Sequence, residues 1–157
     1  MGCLPQGDLP VGGCCIGLPG GYFYGNPSID MLPIRILLVD DSRDFIESAI
    51  RFLSADAQLE IVGCALSGAE AIDQIARVQP DLVLMDWAMP GMSGLEATHQ
   101  IKAGPGAPGV VIVTLHDNLE YRAAARAAGA DGYVAKSELG QALLPLIHQL
   151  SGDCLCR

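Results

Sequence analysis

The sequence predicts an α/β fold, a doubly wound parallel sheet of five strands with five helices on its two faces. Three observations predict it. From residue 34 onward, short apolar runs rich in branched side chains alternate with stretches of helical period. The strand-like runs are almost continuously apolar, the pattern of strands covered on both faces. Their carboxyl ends carry Asp40-Asp41, Asp86, Thr114 and Lys136, and that edge is where open α/β sheets bind ligands.

Each element has its own justification. Residues 34–39, IRILLV, form the first strand and stop at the acidic pair. A helix over 42–55 follows, with apolar Phe45, Ile46, Ala49, Ile50 and Leu53 on one stripe. Residues 59–66 are strand-like and include Cys64, a small apolar core residue in this reading. Ser67-Gly-Ala-Glu70 is a capping box opening a helix that buries Ala71, Ile72, Ile75, Ala76 and Val78, and Pro80 ends it. Residues 81–85 are a third buried strand ending at Asp86. Ser93-Gly-Leu-Glu96 is a second capping box and starts a helix to about residue 103. Residues 110–114 form the fourth strand, 118–128 a helix closed by Gly129 as a left-handed cap, and 132–135 a short fifth strand. Ser137 is expected to cap a last helix to about residue 150, bent near Gln141 by Pro145 but continued by Leu143, Leu144, Ile147 and Leu150.

Composition narrows the function classes. The 157-residue chain has 18 acidic and 9 basic residues, a formal net charge of −9. That balance argues against a nucleic-acid surface, which needs a basic patch, and suits a protein that holds cations. Residues 34–150 hold 15 of the acidic and 8 of the basic residues, so most of the excess belongs to the predicted domain. No apolar run approaches the roughly 18–20 residues of a membrane span. Residues 1–33 lack Lys and Arg, show no period of 2 or 3.6, and are broken throughout by Gly and Pro. They are expected to be a flexible tail outside the domain, residues 151–157 a short C-terminal tail, and Met31 is a candidate translation start. Cys14-Cys15 and Cys154-x-Cys156 lack zinc-site spacing.

The strand ends carry the chemistry. Three carboxylates converging to roughly 4–5 Å repel by about 3–4 kcal/mol per pair at an effective dielectric near 20. Such a cluster requires a cation, and hard oxygen donors near the surface favour Mg2+. Lys136 adds a positive charge and Thr114 a hydroxyl. The set suits an anion beside an oxygen-ligated metal, hence phosphoryl transfer.

Four motifs in order, LLVDDS at Asp40-Asp41, LVLMDWAMPGMSG at Asp86, VIVTLHD at Thr114 and GYVAKSEL at Lys136, resemble the receiver domain of two-component response regulators over 34–150. The KSEL ending is most similar to the NarL/FixJ-type subgroup. The resemblance implies a flavodoxin-like sheet of strand order 2-1-3-4-5. It implies that Asp86 is the phosphoacceptor for a sensor histidine kinase or phosphotransfer protein. Asp41 would ligate Mg2+ directly, Asp40 would help through water, and Asp86 with the backbone carbonyl of Ala88 would complete the protein ligands. Lys136 would pair with Asp86 and then with the phosphoryl oxygens. Thr114 would bond the phosphoryl group, and Tyr133 would be the aromatic switch that turns inward with it. Pro90 and Gly94 would shape the loop that brings Ala88 round the metal.

Output is then expected through the face of the fourth helix, fifth strand and fifth helix toward a protein partner. A homodimer on phosphorylation, a cytoplasmic location, and no membrane or direct nucleic-acid contact complete the expectation. The chain would accept a phosphoryl group and lose it again without being a dedicated enzyme. Trp87 is expected over the pocket mouth, His116 in a solvated loop, and His99 and His148 on helix surfaces. Leu115, where receivers commonly have a smaller residue, is expected to narrow access and slow dephosphorylation. Two other readings stay open: a receiver-like scaffold that is never phosphorylated, and an Asp-nucleophile phosphatase, against which Ala88 stands where a general acid is needed. The output also leaves two readings, a single-domain regulator or a segment of a longer transcription factor. The reading frame beyond Arg157 separates them.

Overall fold

In the computed structural model, which describes residues 32–154, the strands are β1 (Ile34–Val39), β2 (Leu59–Ala65), β3 (Leu82–Asp86), β4 (Gly109–Thr114) and β5 (Gly132–Ala135). The helices are α1 (Arg43–Leu53), α2 (Gly68–Val78), α3 (Gly94–Ala103), α4 (Leu119–Ala127) and α5 (Leu139–Cys154). All strand pairs are parallel and the order is β2-β1-β3-β4-β5, as expected. The sheet order reverses beside β1 and β3, so Asp40 and Asp86 leave neighbouring strands at the same edge.

Alternate side chains of each strand enter two separate cores. Ile36, Leu38, Leu84, Val111 and Val113 pack with Ile46, Ala49 and Leu53 of α1 and Leu143 and Ile147 of α5. Leu37, Val39, Val83, Met85, Val110 and Ile112 pack with Ala71, Ala97, Ile101 and Ala125 of α2, α3 and α4. This is why the strands read as apolar at every position. Hydroxyl and amide side chains cap the helices. Ser42, Ser67, Ser93 and Asn118 accept the backbone N–H of Phe45, Glu70, Glu96 and Tyr121. Glu70 also reaches back, but to the Leu66 N–H at 2.8 Å, one residue before the cap.

Three local expectations need correction. Of the residues assigned to the buried face of α2, Ala71 is buried, Ile72, Ile75 and Val78 are half-buried, and Ala76 is exposed. The C-terminal half of α2 borders an open groove of about 440 Å³ with Pro80, Ile101 and the loop before β4, so its apolar stripe is not covered. Its end is also set by Gln79, in the left-handed region at φ 48°, whose carbonyl accepts the Arg35 guanidinium at 2.8 Å. Ser137 caps nothing. It lies inside a 3-10 turn (Lys136–Glu138), because the chain turns as soon as β5 ends and Lys136 is anchored in the site. The last helix runs unbroken through Pro145 to Cys154. Pro145 and Gln141 are both exposed, and Pro145 leaves the Gln141 carbonyl without its helical N–H donor. Finally, Cys64 is half-buried rather than buried, and burial, with Glu70 nearby, pushes its thiol above the usual range. The expectations for residues 1–31, for Met31 and for Cys3, Cys14, Cys15 and Cys156 lie outside the described residues.

Candidate functional site at the carboxyl edge of the sheet

Asp40 follows β1 and Asp86 closes β3, and both are buried, at 1 % and 5 % exposure; Asp41 is exposed. One oxygen from each of the three carboxylates falls within 4.8 Å of the others. Three hard oxygen donors, one open to solvent, form a set that could hold a metal ion. Ala88 lies exposed in the loop after β3. That loop is shaped by Gly91, at φ 78°, and by Gly94, where a Cβ would come within 1.9 Å of the Asp86 carbonyl oxygen. Gly94 also donates its N–H to the Trp87 carbonyl at 3.0 Å, so α3 starts hard against the Asp86 backbone.

Lys136 reaches in from the turn after β5. Its Nζ donates to Asp40 Oδ2 at 2.6 Å and lies 3.0 Å from Asp86 Oδ1. The pairing with Asp86 was expected, and the closer one with Asp40 was not. Burial raises the Asp86 carboxyl above the usual range and Asp40 raises it further, while Lys136 opposes both. Burial lowers Lys136, but the two carboxylates outweigh it and leave the ammonium above its ordinary value. One cation therefore serves two of the three carboxylates.

Thr114 ends β4 buried, and its hydroxyl accepts the His116 N–H at 3.2 Å. Tyr133 is half-buried on β5 and its hydroxyl donates to the His116 carbonyl. Burial, then the Asp117 charge, raises its phenol. Arg122 of α4 lies 5.4 Å from the Tyr133 ring centroid and forms a bidentate pair with Asp117 at 2.7 and 2.8 Å. Sequence reasoning missed Arg122. Trp87, expected over the pocket mouth, is half-buried with its ring edge-on to Tyr121, centroids 4.5 Å apart. Leu115 is 74 % exposed, and His116 and His99 are exposed. His148 is not a bare surface residue: its Nε2 lies 3.0 Å from Asp56.

The family profile described as "Response regulator receiver domain" matches residues 36–148. The chain belongs to the response regulator receiver family. This receiver is 37 % identical over 126 residues to Response regulator MprA of Mycobacterium sp. (strain KMS), covering 78 % of this chain and 54 % of that protein. It is 36 % identical over 130 residues to a protein-glutamate methylesterase/protein-glutamine glutaminase of Nocardioides sp. (strain ATCC BAA-499 / JS614), covering 74 % of this chain and 36 % of that one. Among solved structures, the signal receiver domain of the response regulator named NarL from Mycobacterium tuberculosis aligns with a TM-score of 0.67 and 30 % identity, over 73 % of this chain and 95 % of that one. The chain spans about half the length of the first of these relatives and about a third of the second. Among the described residues, no helix of the receiver is long and apolar enough to cross a membrane.

Proposed function

We propose that this receiver is a phosphorylation-controlled switch whose phosphoacceptor is Asp86. The observation that carries the reading is the charge imbalance at one strand edge. Asp40, Asp41 and Asp86 crowd within 4.8 Å, and Lys136, 2.6 Å from Asp40 and 3.0 Å from Asp86, leaves a net negative pocket. Asp40, Asp41, Asp86 and the Ala88 carbonyl would hold Mg2+. When bound, the ion neutralises phosphoryl oxygens that would otherwise repel the carboxylate. An Asp86 oxygen attacks phosphorus as the bond from phosphorus to the kinase's histidine nitrogen breaks, and the imidazole leaves with that electron pair. The transition state is loose, so positioning and charge matter more than covalent help. Lys136 exchanges its carboxylate contact for phosphoryl oxygens. Thr114 donates its hydroxyl to the same group, releasing its bond to the His116 N–H. Tyr133, tethered to the His116 carbonyl two residues further on, then loses its tether. This couples Asp86 to the face of α4, β5 and α5, where an output protein or a second copy docks.

In this reading the partners are a sensor histidine kinase or phosphotransfer protein and an output protein, in the cytoplasm. The chain is a substrate of phosphorylation that also loses the group, not a dedicated enzyme. The methylesterase activity named for the Nocardioides relative is not carried over, because this chain covers only 36 % of that protein. The test is incubation with acetyl phosphate and Mg2+. We expect an acid-stable, hydroxylamine-labile adduct that Asp86→Ala abolishes. An adduct unchanged in Asp86→Ala refutes the assignment, and no adduct in the unaltered protein favours a scaffold role.

A further inference from the structure

Lys136 has a third neighbour that the carboxylates do not explain. Its Nζ lies 4.1 Å from the centroid of the Phe45 ring, on the first turn of α1. An ammonium carries three donors on a flexible stem. Two of its contacts here are Asp40 at 2.6 Å and Asp86 at 3.0 Å. The Phe45 face attracts the same charge through its quadrupole without accepting a directional hydrogen bond. The Lys136 side chain is only 14 % exposed, the desolvated regime in which such a contact is strongest.

The backbone that carries the ring is itself tied to the site. The Phe45 N–H donates to Ser42 Oγ at 3.3 Å, and the Ser42 N–H donates to Asp40 Oδ1 at 2.8 Å. Asp40 accepts Lys136 with its other oxygen. Asp40, Ser42, Phe45 and Lys136 thus close a ring of contacts across two distant parts of the chain.

We propose that Phe45 is a positioning residue for Lys136. Its face keeps the ammonium between Asp40 and Asp86 while the carboxylate contacts are exchanged for those of an incoming phosphoryl group. A carboxylate or carbonyl in that place would compete for the donors, whereas an aromatic face limits the swing of the stem without competing. The inference rests on the phosphoacceptor reading of Asp86. The ordinary alternative is that Phe45 only fills the core, since it also borders an apolar cavity of about 10 Å³ with Ile46 and Leu143. A filler would be replaceable by another apolar side chain.

The test compares Phe45→Tyr, which keeps the face, with Phe45→Leu and Phe45→Met, which keep apolar bulk and lose it. In the protein without Mg2+ or phosphodonor, NMR should place the Lys136 ε-methylene protons upfield by the ring current. That shift should survive Phe45→Tyr and vanish in both aliphatic variants. The initial rate of phosphorylation by acetyl phosphate at saturating Mg2+ should fall roughly tenfold in Phe45→Leu and Phe45→Met. It should stay within about twofold in Phe45→Tyr, with the half-saturating Mg2+ concentration unchanged in all three. Aliphatic variants that phosphorylate at the unaltered rate overturn the proposal, as does a Phe45→Tyr that falls with them. An unaltered protein that takes up no phosphoryl group overturns the phosphoacceptor reading instead, and the ring-current shift then still decides whether ring and ammonium meet.

Discussion

At the amino edge of the sheet, Asp131 accepts the Val110 N–H at 2.8 Å and pairs with Lys102 at 2.5 Å, and Lys102 donates again to the Pro108 carbonyl at 2.8 Å. Nearby, Asp81 accepts the Arg35 N–H at 2.9 Å while the Arg35 guanidinium binds the Gln79 carbonyl. Each carboxylate there has its own backbone N–H donor, and Asp131 has Lys102 beside it as well. At the carboxyl edge Asp40 and Asp86 share Lys136, and Asp41 lies within 4.8 Å of both carboxylates. Both edges use Asp and basic residues at strand ends. Satisfied charges tie neighbouring strands together, and an uncompensated negative excess forms a set that could hold a cation. A charge in a receiver is therefore read from its balance with its neighbours, not from its residue type.

Gly94→Ala should break the crowded edge most severely. A Cβ there meets the Asp86 carbonyl oxygen at 1.9 Å, a contact with backbone that no side-chain rotation relieves. The expected cost is about 3 kcal/mol in a urea melt, together with loss of the Asp86 adduct. A variant of unaltered stability would mean that the loop before α3 gives way freely.

Mg2+ should sharpen the contrast. An ion that binds only the folded chain stabilises it by about 2.7 kcal/mol at one hundred times its dissociation constant. The melting temperature should therefore rise with Mg2+ in the unaltered protein and far less in Asp41→Asn. Asp41 is exposed, so this variant should fold normally. An equal rise in both would remove Asp41 from the metal site. At the other edge, Asp131→Ala should cost about 1–2 kcal/mol, because it strands the Val110 N–H and leaves the Lys102 ammonium with the Pro108 carbonyl alone. The same variant should leave the Mg2+ response and the phosphorylation rate unchanged, and a lost response would mean that the two edges are coupled.

Much of this was legible in the sequence, for local reasons. β1 and β3 declare themselves because both faces are covered, and Ser42, Ser67, Ser93 and Asn118 declare the helix starts because a cap acts within three residues. Asp40, Asp41 and Asp86 could be placed together because a parallel sheet brings strand ends together. The Lys136–Asp40 pair spans 96 residues and depends on how far a long side chain extends, which no period encodes. Phe45 matched the apolar stripe of α1, and its contact with a charge was hidden behind that match. The exposure of Ala76 depends on a groove made by a loop some 30 residues on, so helical period alone could not place it.

The smallest effect expected lies at the amino edge, where α1 runs into β2. Asp56 accepts the Gln58 N–H at 2.9 Å, and its other oxygen lies 3.0 Å from Nε2 of His148 on α5. The Gln58 bond first, and His148 second, hold its carboxyl below the usual carboxylate range. A lowered value in the folded chain means that the ionised form is favoured by folding. Its contribution is fully present above the unfolded-state value, near 4, and is lost as the pH falls through the folded value. Asp56→Asn should therefore cost under about 1 kcal/mol at pH 7, since the pair is partly solvated. The difference from the unaltered protein should shrink as the pH falls below about 4 and through the folded value, where Asp56 becomes neutral like Asn. Urea melts of the two proteins across that range measure it. A difference that persists at pH values low enough to protonate the folded carboxylate would assign the effect to the turn at Gln58 and not to the charge.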